Sequence, residues 1–244
     1  AVSGICIIDN SISHDFSHRD FEIFGDTQCI NIIFNEINTG YIAHNLGMRH
    51  FMDMGFSFHL VLNADVEFDE GVLGHLMQKM LRNRHVGLIM PRVLNPDGST
   101  QRLAKFLPTP ATMLFRMLGI NKFSGLDISS PSTSTKSIFV PYLSGCFMFM
   151  RTSILDKVGL MDERFFMYGE DIDLSRRIAK VSAAVYYPDV QIIHHHGAGS
   201  KRNIVLFWIH LRNVAAYFSK WGWFFDKERK TLNAKCGEFV ELSD

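Results

Sequence analysis

The sequence carries no excess of charge of either sign. Lysine plus arginine and aspartate plus glutamate stand at 25 each in 244 residues, so the basic surface that nucleic-acid binding calls for is missing. Cysteine is scarce: Cys6, Cys29, Cys146 and Cys236 are the four. They are widely spaced, lie mostly among apolar residues and form no CxxC pair. That excludes the usual zinc-ribbon spacing and reads as buried thiols in a reducing, cytoplasmic setting. No uninterrupted apolar run of about 18 residues occurs, so no membrane span is expected. The N-terminus lacks a basic stretch followed by an apolar run, and no signal peptide is read.

What is present is the balance of a globular domain, 47% apolar and 20% charged. The length suits one domain, or one domain with an appendage. Short apolar runs at 2–8, 29–34, 58–62, 86–90, 138–142, 146–150, 183–187 and 190–193 read as strands. Helical spacing is expected over 40–54 and 70–82, and an aromatic helix from about 203 to 220. Alternating strands and helices argue an α/β fold with a mostly parallel sheet flanked by helices. Polar residues gather where strands end, at Asp9, Asn35 and Asp65, the edge at which open α/β sheets bind ligands. Asn95-Pro96-Asp97-Gly98 is a strong turn signal. The stretch 105–137, with two prolines and a Ser/Thr-rich run, is expected to be a flexible insertion.

The chemistry-bearing residues concentrate in a few places. Ser144-Gly145-Cys146 precedes Phe165-Phe166-Met167-Tyr168-Gly169-Glu170-Asp171-Ile172-Asp173-Leu174. Crowded carboxylates raise one another's pKa and are costly unless chemistry or a cation uses them. A plainer explanation is a helix N-terminus, which favours acids. Asp65 ends a strand and suits a hard divalent cation shared with a phosphate, or simply a helix cap. His194-His195-His196 also ends an apolar run; on an extended strand at most His194 and His196 share a face. One acid and one histidine fall short of a zinc site and suit Mg²⁺ or Mn²⁺ held largely by a diphosphate and water. Asn38 to Asn45 opens a helix whose N-terminus could face an anion, though the motif is far weaker than a Walker loop.

Taken in order, these motifs resemble the family 2 glycosyltransferases, the inverting enzymes of GT-A fold that use nucleotide-sugar donors. The resemblance runs over roughly residues 5–220 and is strongest to the bacterial rhamnosyltransferase-like branch that builds surface polysaccharides. It implies an Asp65–His194 metal site, Asp171 as catalytic base with Glu170 as the runner-up, and Asp9 beside the nucleobase. Gly145 and Ser144 would line the sugar, and Asn38, Gly40, Asn45 and Asn63 would serve the donor; apart from the resemblance, His210 and Arg212 of the C-terminal helix could alternatively reach the donor diphosphate. A divalent metal (Mn²⁺ or Mg²⁺), a nucleotide-diphosphate sugar and a glycan or lipid-linked acceptor are the implied cofactor and partners. Contact with the inner membrane face and a homodimer are left open. The family's first strand is expected ahead of residue 2, and the Asn63-Ala64-Asp65 segment keeps one of the two acids of the family's metal motif.

Residues 1–202 read as the catalytic domain and 203–244 as a C-terminal helix and tail. That helix is expected to pack on the domain; an interfacial role beside a lipid-linked acceptor is the alternative. Two other functions compete with sugar transfer. One is a sugar nucleotidyltransferase, which would want a Gly-rich basic loop. The other is a module that binds nucleotide sugars without turnover.

Overall fold

A computed structural model describes residues 3–11, 13, 30–117, 131–195 and 204–243. Its elements are β1 (Ile5–Asp9), β2 (Ile30–Phe34), α1 (His44–Asp53), β3 (Phe58–Leu62), β4 (Val66–Glu67), α2 (Val72–Arg82), β5 (Val86–Leu94), β6 (Ala104–Lys105) and α3 (Pro110–Met117). They continue with β7 (Ile138–Phe139), β8 (Tyr142–Leu143), β9 (Phe147–Arg151), α4 (Thr152–Val158), α5 (Glu170–Val181), β10 (Ala183–His194), α6 (Ile204–Trp221) and α7 (Lys227–Lys235). A 3₁₀ turn, Gly40–Ala43, leads into α1.

The main sheet runs β3-β9-β5-β10-β4, with β7 also paired to β10. β5 and β9 are buried almost throughout, which is why they read as continuous apolar runs. The α/β class stands, but the strand directions correct the expectation of a mostly parallel sheet. β1 pairs with β2 and β5 with β10 in parallel, while β3/β9, β5/β9, β10/β4 and β10/β7 are antiparallel. Apolar runs report burial and not direction, so this was invisible in the sequence.

The two runs expected at 183–187 and 190–193 form one strand, interrupted by an irregularity between Tyr187 and Gln191. Pro188 lies in that interruption. Proline has no N–H for a ladder and is confined to bulges or edges inside a sheet. The bulge re-aims the end of β10, which carries His194.

The described parts of 105–137 are packed. β6 pairs with β8, Leu107, Met113 and Ser132 are buried, and the Ser132 hydroxyl accepts from Ala104 N at 2.9 Å. The expected flexible insertion is therefore corrected for these residues; 118–130 lie outside the described ones. α3, α4 and α7 are short helices that the sequence pattern did not mark.

The C-terminal elements join the same core. Tyr217 and Phe218 of α6 and Leu232 of α7 are buried in it. Arg176 of α5, 1% exposed, makes a bidentate pair with Asp226 at 2.7 Å to each oxygen. It also donates to Tyr217 Oη at 3.2 Å and stacks on Trp221 at 4.0 Å. The first turns of α6 do the opposite: Ile204, Val205 and Trp208 are exposed. Among the described residues no helix is long and apolar enough to cross a membrane.

Breaking one partner of a buried ion pair strands the other charge. Asp226→Ala is therefore expected to cost about 3–5 kcal/mol. Glu163→Ala, at the exposed Arg49–Glu163 pair, is expected to cost under about 1 kcal/mol. Thermal and urea unfolding of the two variants checks the contrast.

Candidate functional site

Strand pairing brings remote motifs together. β3 and β9 are antiparallel and end on the pair Leu62↔Phe147, and Asn63 N donates to Cys146 O at 3.0 Å. The Asn63-Ala64-Asp65 segment thus lies beside Ser144-Gly145-Cys146. β4 pairs with β10 through His194↔Val66, and His195 N donates to Asp65 O at 2.9 Å. As a result His194 Nε2 sits 3.3 Å from Asp65 Oδ1, with the histidine buried and the aspartate half exposed. His195 points to the other face, 3.2 Å from Glu67 Oε1, as strand alternation requires. His196 lies outside the described residues.

The acidic pair arrives from α5. Asp171 Oδ2 accepts from Gly145 N at 3.1 Å and from Tyr142 Oη at 3.3 Å, and its Oδ1 accepts from Ile172 N at 2.8 Å. Tyr41 closes the constellation. Its hydroxyl donates to the Gly145 carbonyl and lies 2.8 Å from Asn63 Oδ1. Burial pushes the Tyr41 phenol well up, and the charges of Glu170, Asp171 and Asp65 push it further. One phenol therefore feels acids from both halves of the site.

The turn before α5 is unusual backbone. Tyr168 has φ +68°, the one positive φ on a non-glycine among the described residues, and Gly169 has φ +140°. Conformations of this kind cost roughly 1–3 kcal/mol and cluster at functional sites. The three acids that follow then separate by environment. Asp173 is fully buried in an ion-pair cluster with Arg177 at 2.8 Å and Lys220 at 2.7 Å, and accepts from Trp221 Nε1 at 2.8 Å. It is spent on structure. Burial raises the Asp171 carboxyl, while the Gly145 N–H, Lys105 and the Ile172 N–H oppose the rise. Burial and the neighbouring Asp171 push Glu170 well above the usual carboxylate range. Its Oε2 is buried without a hydrogen-bond partner. Asp171 is the better ionised of the pair. Cys146, beside them, is pushed up to about 12 chiefly by burial and stays a thiol.

The expected donor residues divide. Asp9 is buried at the end of β1, where its Oδ1 accepts from Ser11 N at 2.8 Å and Ser11 Oγ at 2.5 Å. Asn38 Oδ1 accepts from Gly40 N at 2.9 Å. Gly40 has φ +71°, and a Cβ there would meet Phe166 O at 2.0 Å, so no other residue fits against the turn. Tyr41 N also donates to that carbonyl at 2.8 Å. Asn63 faces Tyr41, and Gly145 faces both Tyr41 and Asp171; Ser144 N donates to Leu103 O at 3.2 Å. Asn45 stands apart from the expected donor set. Both ends of its buried amide are used by the Met161 backbone, at 2.8 and 3.0 Å, so it braces α1 to the loop before the acids. Arg212 lines a cavity of about 420 Å³ with Thr39, Ile42, Arg164, Phe166 and Asn213. None of Asp65, His194, Glu170 or Asp171 lines that cavity. Sequence reasoning missed Tyr142, Lys105 and Gln101, whose residue types give no periodic or motif signal.

Among the described residues no cluster of three or more His, Cys, Asp or Glu could hold a metal. The Asp65–His194 pair still fits a lightly held octahedral cation. Adjacent ligands about 2.1 Å from such an ion lie about 3 Å apart, close to the 3.3 Å observed. Phosphate oxygens and water would supply the remaining positions.

No protein-family profile matches the chain. In sequence it is 28% identical over 162 residues to the N-acetylglucosaminyl-diphospho-decaprenol L-rhamnosyltransferase of Mycobacterium tuberculosis, covering 59% of this chain and 48% of the relative. It is 28% identical over 185 residues to the low-salt glycan biosynthesis hexosyltransferase Agl10 of Haloferax volcanii, covering 72% and 54%. Over 107 residues it is 34% identical to rhamnosyltransferase WbbL of Escherichia coli, covering 43% and 39%. The chain spans about half the length of the curated relatives it matches or less. In fold it is similar to GalNAc-T7 with UDP, GalNAc and Mn²⁺, with a TM-score of 0.64 at 17% identity over 90% of this chain and 43% of that one. It is also similar to mannosyltransferase PcManGT of Pyrobaculum calidifontis with GDP-Man and Mn²⁺, with a TM-score of 0.51 at 12% identity over 95% and 69%. The resemblance to the rhamnosyltransferase-like branch of the family 2 glycosyltransferases thus holds in sequence, and the GT-A fold holds in structure.

Glu170 generates a stability test. A carboxyl whose pKa is higher folded than unfolded binds its proton more tightly in the native state. Its contribution is therefore favourable near pH 4 and is lost as pH rises through the folded value. Glu170→Gln is expected to raise Tm at pH 7, with the gap closing as pH falls toward 4. A gap that is constant with pH, or a lower Tm at pH 7, would contradict the buried, strained carboxyl.

Proposed function

We propose that this chain carries the catalytic domain of an inverting, metal-dependent glycosyltransferase acting in bacterial surface-polysaccharide synthesis. The donor is a nucleoside-diphosphate sugar, with dTDP-rhamnose the first to try, and the acceptor a glycan or lipid-linked saccharide at the cytoplasmic membrane face. One observation carries the reading. Asn63, two residues before Asp65 of the Asp65–His194 pair, and the Asp171 carboxylate both contact the 144–146 loop: Asn63 N donates to Cys146 O, Tyr41 Oη meets both Asn63 Oδ1 and the Gly145 carbonyl, and Gly145 N donates to Asp171. The rhamnosyltransferase relatives support the choice of sugar, and the Mn²⁺ in the fold neighbours supports the choice of ion. The exposed Trp208, Phe224 and Phe225 suit contact with a lipid surface.

The chemistry needs two separated acidic functions, and the site offers two. In a single in-line displacement the acceptor oxygen bonds to the anomeric carbon while the bond from that carbon to the diphosphate oxygen breaks. The acceptor hydroxyl's proton passes to Asp171, and the nucleoside diphosphate leaves with the electron pair. A positioned base of this kind contributes about 10²–10⁴-fold. The Gly145 N–H and Tyr142 hydroxyl aim the carboxylate and keep it charged. Burial and the neighbouring Asp171 push the Glu170 carboxyl well above the usual range, which leaves Asp171 the better base of the two. Asp65 and His194 would hold the divalent cation, which supplies positive charge to the departing diphosphate. Asp9 and the Asn38–Gly40 turn would bound the nucleoside end.

Transfer is tested by incubating the chain with Mn²⁺ and a panel of nucleotide sugars. Released nucleoside diphosphate and the anomeric configuration of the product are read by NMR. Retained configuration would exclude the displacement, and release of pyrophosphate would favour a nucleotidyltransferase. Asp171→Asn is expected to lower turnover by about 10²–10⁴-fold while nucleotide binding survives. Asp65→Ala is expected to weaken nucleotide binding only when Mn²⁺ is present. Because burial raises the Asp171 carboxyl, the rate should fall with decreasing pH at values above the ordinary aspartate range near ~4.

A further inference from the structure

Gln101 lies beside the Asp65–His194 pair and has no part in the chemistry above. It follows the Asn95-Pro96-Asp97-Gly98 turn, which is closed by Gly98 N to Asn95 O at 2.9 Å and Asn95 N to Ser99 O at 2.7 Å. The Asp97 carboxylate accepts from Ser99 N and Ser99 Oγ at 2.9 and 2.6 Å. Gln101 N then donates to Val93 O at 2.8 Å, fixing the residue against the end of β5. From there its amide reaches β10: Nε2 donates to His194 O at 2.6 Å, and Oε1 faces His194 Nδ1 at 3.0 Å.

The chemistry of the partners fixes both orientations. The His194 carbonyl, and the Leu94 carbonyl 3.4 Å from the same nitrogen, can only accept. The NH₂ of Gln101 must therefore face them, which leaves Oε1 toward the ring. An amide oxygen can only accept, so Nδ1 must carry a proton. In the neutral ring the lone pair of His194 then belongs to Nε2, the atom 3.3 Å from Asp65 Oδ1. The Asp65 contact by itself favours the opposite tautomer, because an Nε2–H would donate to the carboxylate.

We propose that Gln101 is a positioning residue: it holds the Nδ1 proton of His194 and so presents the Nε2 lone pair, with Asp65, to a divalent cation. This rests on the reading of Asp65 and His194 given above. Outer partners of metal-binding histidines act in this way, and their removal typically costs about 10–100-fold in metal affinity.

Two variants separate positioning from mere bracing. Gln101→Met removes both hydrogen bonds. Gln101→Glu keeps an oxygen for the Nδ1 proton but loses the donor to the His194 carbonyl. In long-range ¹H–¹⁵N spectra of the full chain, the His194 signals are identified by their loss in His194→Asn. The wild type is expected to show a protonated, pyrrole-type Nδ1. Gln101→Met should move that proton to Nε2 and weaken Mn²⁺ binding, measured by electron paramagnetic resonance with Mn²⁺ alone and with dTDP, by about 10–100-fold. Gln101→Glu should lose thermal stability yet keep the tautomer and hold Mn²⁺ close to the wild-type level. A Gln101→Met variant with unchanged tautomer and affinity overturns the proposal. So does a Gln101→Glu variant that loses the tautomer, and this one decides alone if Gln101→Met does not fold. Mn²⁺ that leaves the wild-type His194 signals untouched sinks the cation reading itself, whatever the tautomer.

Discussion

The Gly145 peptide, with no side chain to hold its neighbours off, is where three parts of the molecule meet. Its N–H faces the Asp171 carboxylate, its carbonyl takes the Tyr41 hydroxyl, and a Cβ would come within 3.0 Å of that hydroxyl. The next residue accepts from Asn63 across the β3/β9 seam. Each residue offers one backbone donor and one acceptor. At Gly145 the donor meets the acid of α5 and the acceptor meets the tyrosine ahead of α1, beside the strand end that leads to Asp65.

That arrangement holds because α5 is anchored away from the cleft. Buried carboxylates at its N-terminus oppose folding, and Glu170 is left with an unpartnered oxygen. Deeper along the same helix the charges are fully matched. Asp173 collects Arg177, Lys220 and Trp221, and Arg176 collects Asp226, Tyr217 and the Trp221 ring. The C-terminal helices, which read as an appendage, are what fix α5 in place. Polar cost at the reactive end of the helix is tolerated because its next two turns are tied into the core.

The cation half rests on strand chemistry instead. The irregularity at Pro188 shifts the β5/β10 register, which resumes at Gln191↔Arg92, and the short β4 pairing then sets His194 opposite Val66. Asp65 thereby meets the histidine through backbone hydrogen bonds and not through any affinity between the two side chains. Strand alternation sends His195 to Glu67, on the opposite face.

Much of this was legible along the chain. β3 and the ends of β2 and α2 fall where apolar runs and charged boundaries put them, because burial and strand-end polarity are local signals. The motifs at Asp65, Gly145, Glu170-Asp171 and His194 were visible as residue types at turns. Strand direction was not visible, since a run buried on both faces looks the same whichever way it points. Nor was the fate of individual polar groups. Asn45 and Asn63 look alike in sequence, yet one is used up by the Met161 backbone and the other faces Tyr41. Asp171 and Asp173 look alike, yet one meets a bare peptide N–H and the other an ion-pair cluster. The sequence by itself determined the α/β class and which residue types stand at the strand ends. Only the tertiary structure decided which of them meet, because burial and hydrogen-bond partners come from segments up to a hundred residues or more away in the chain.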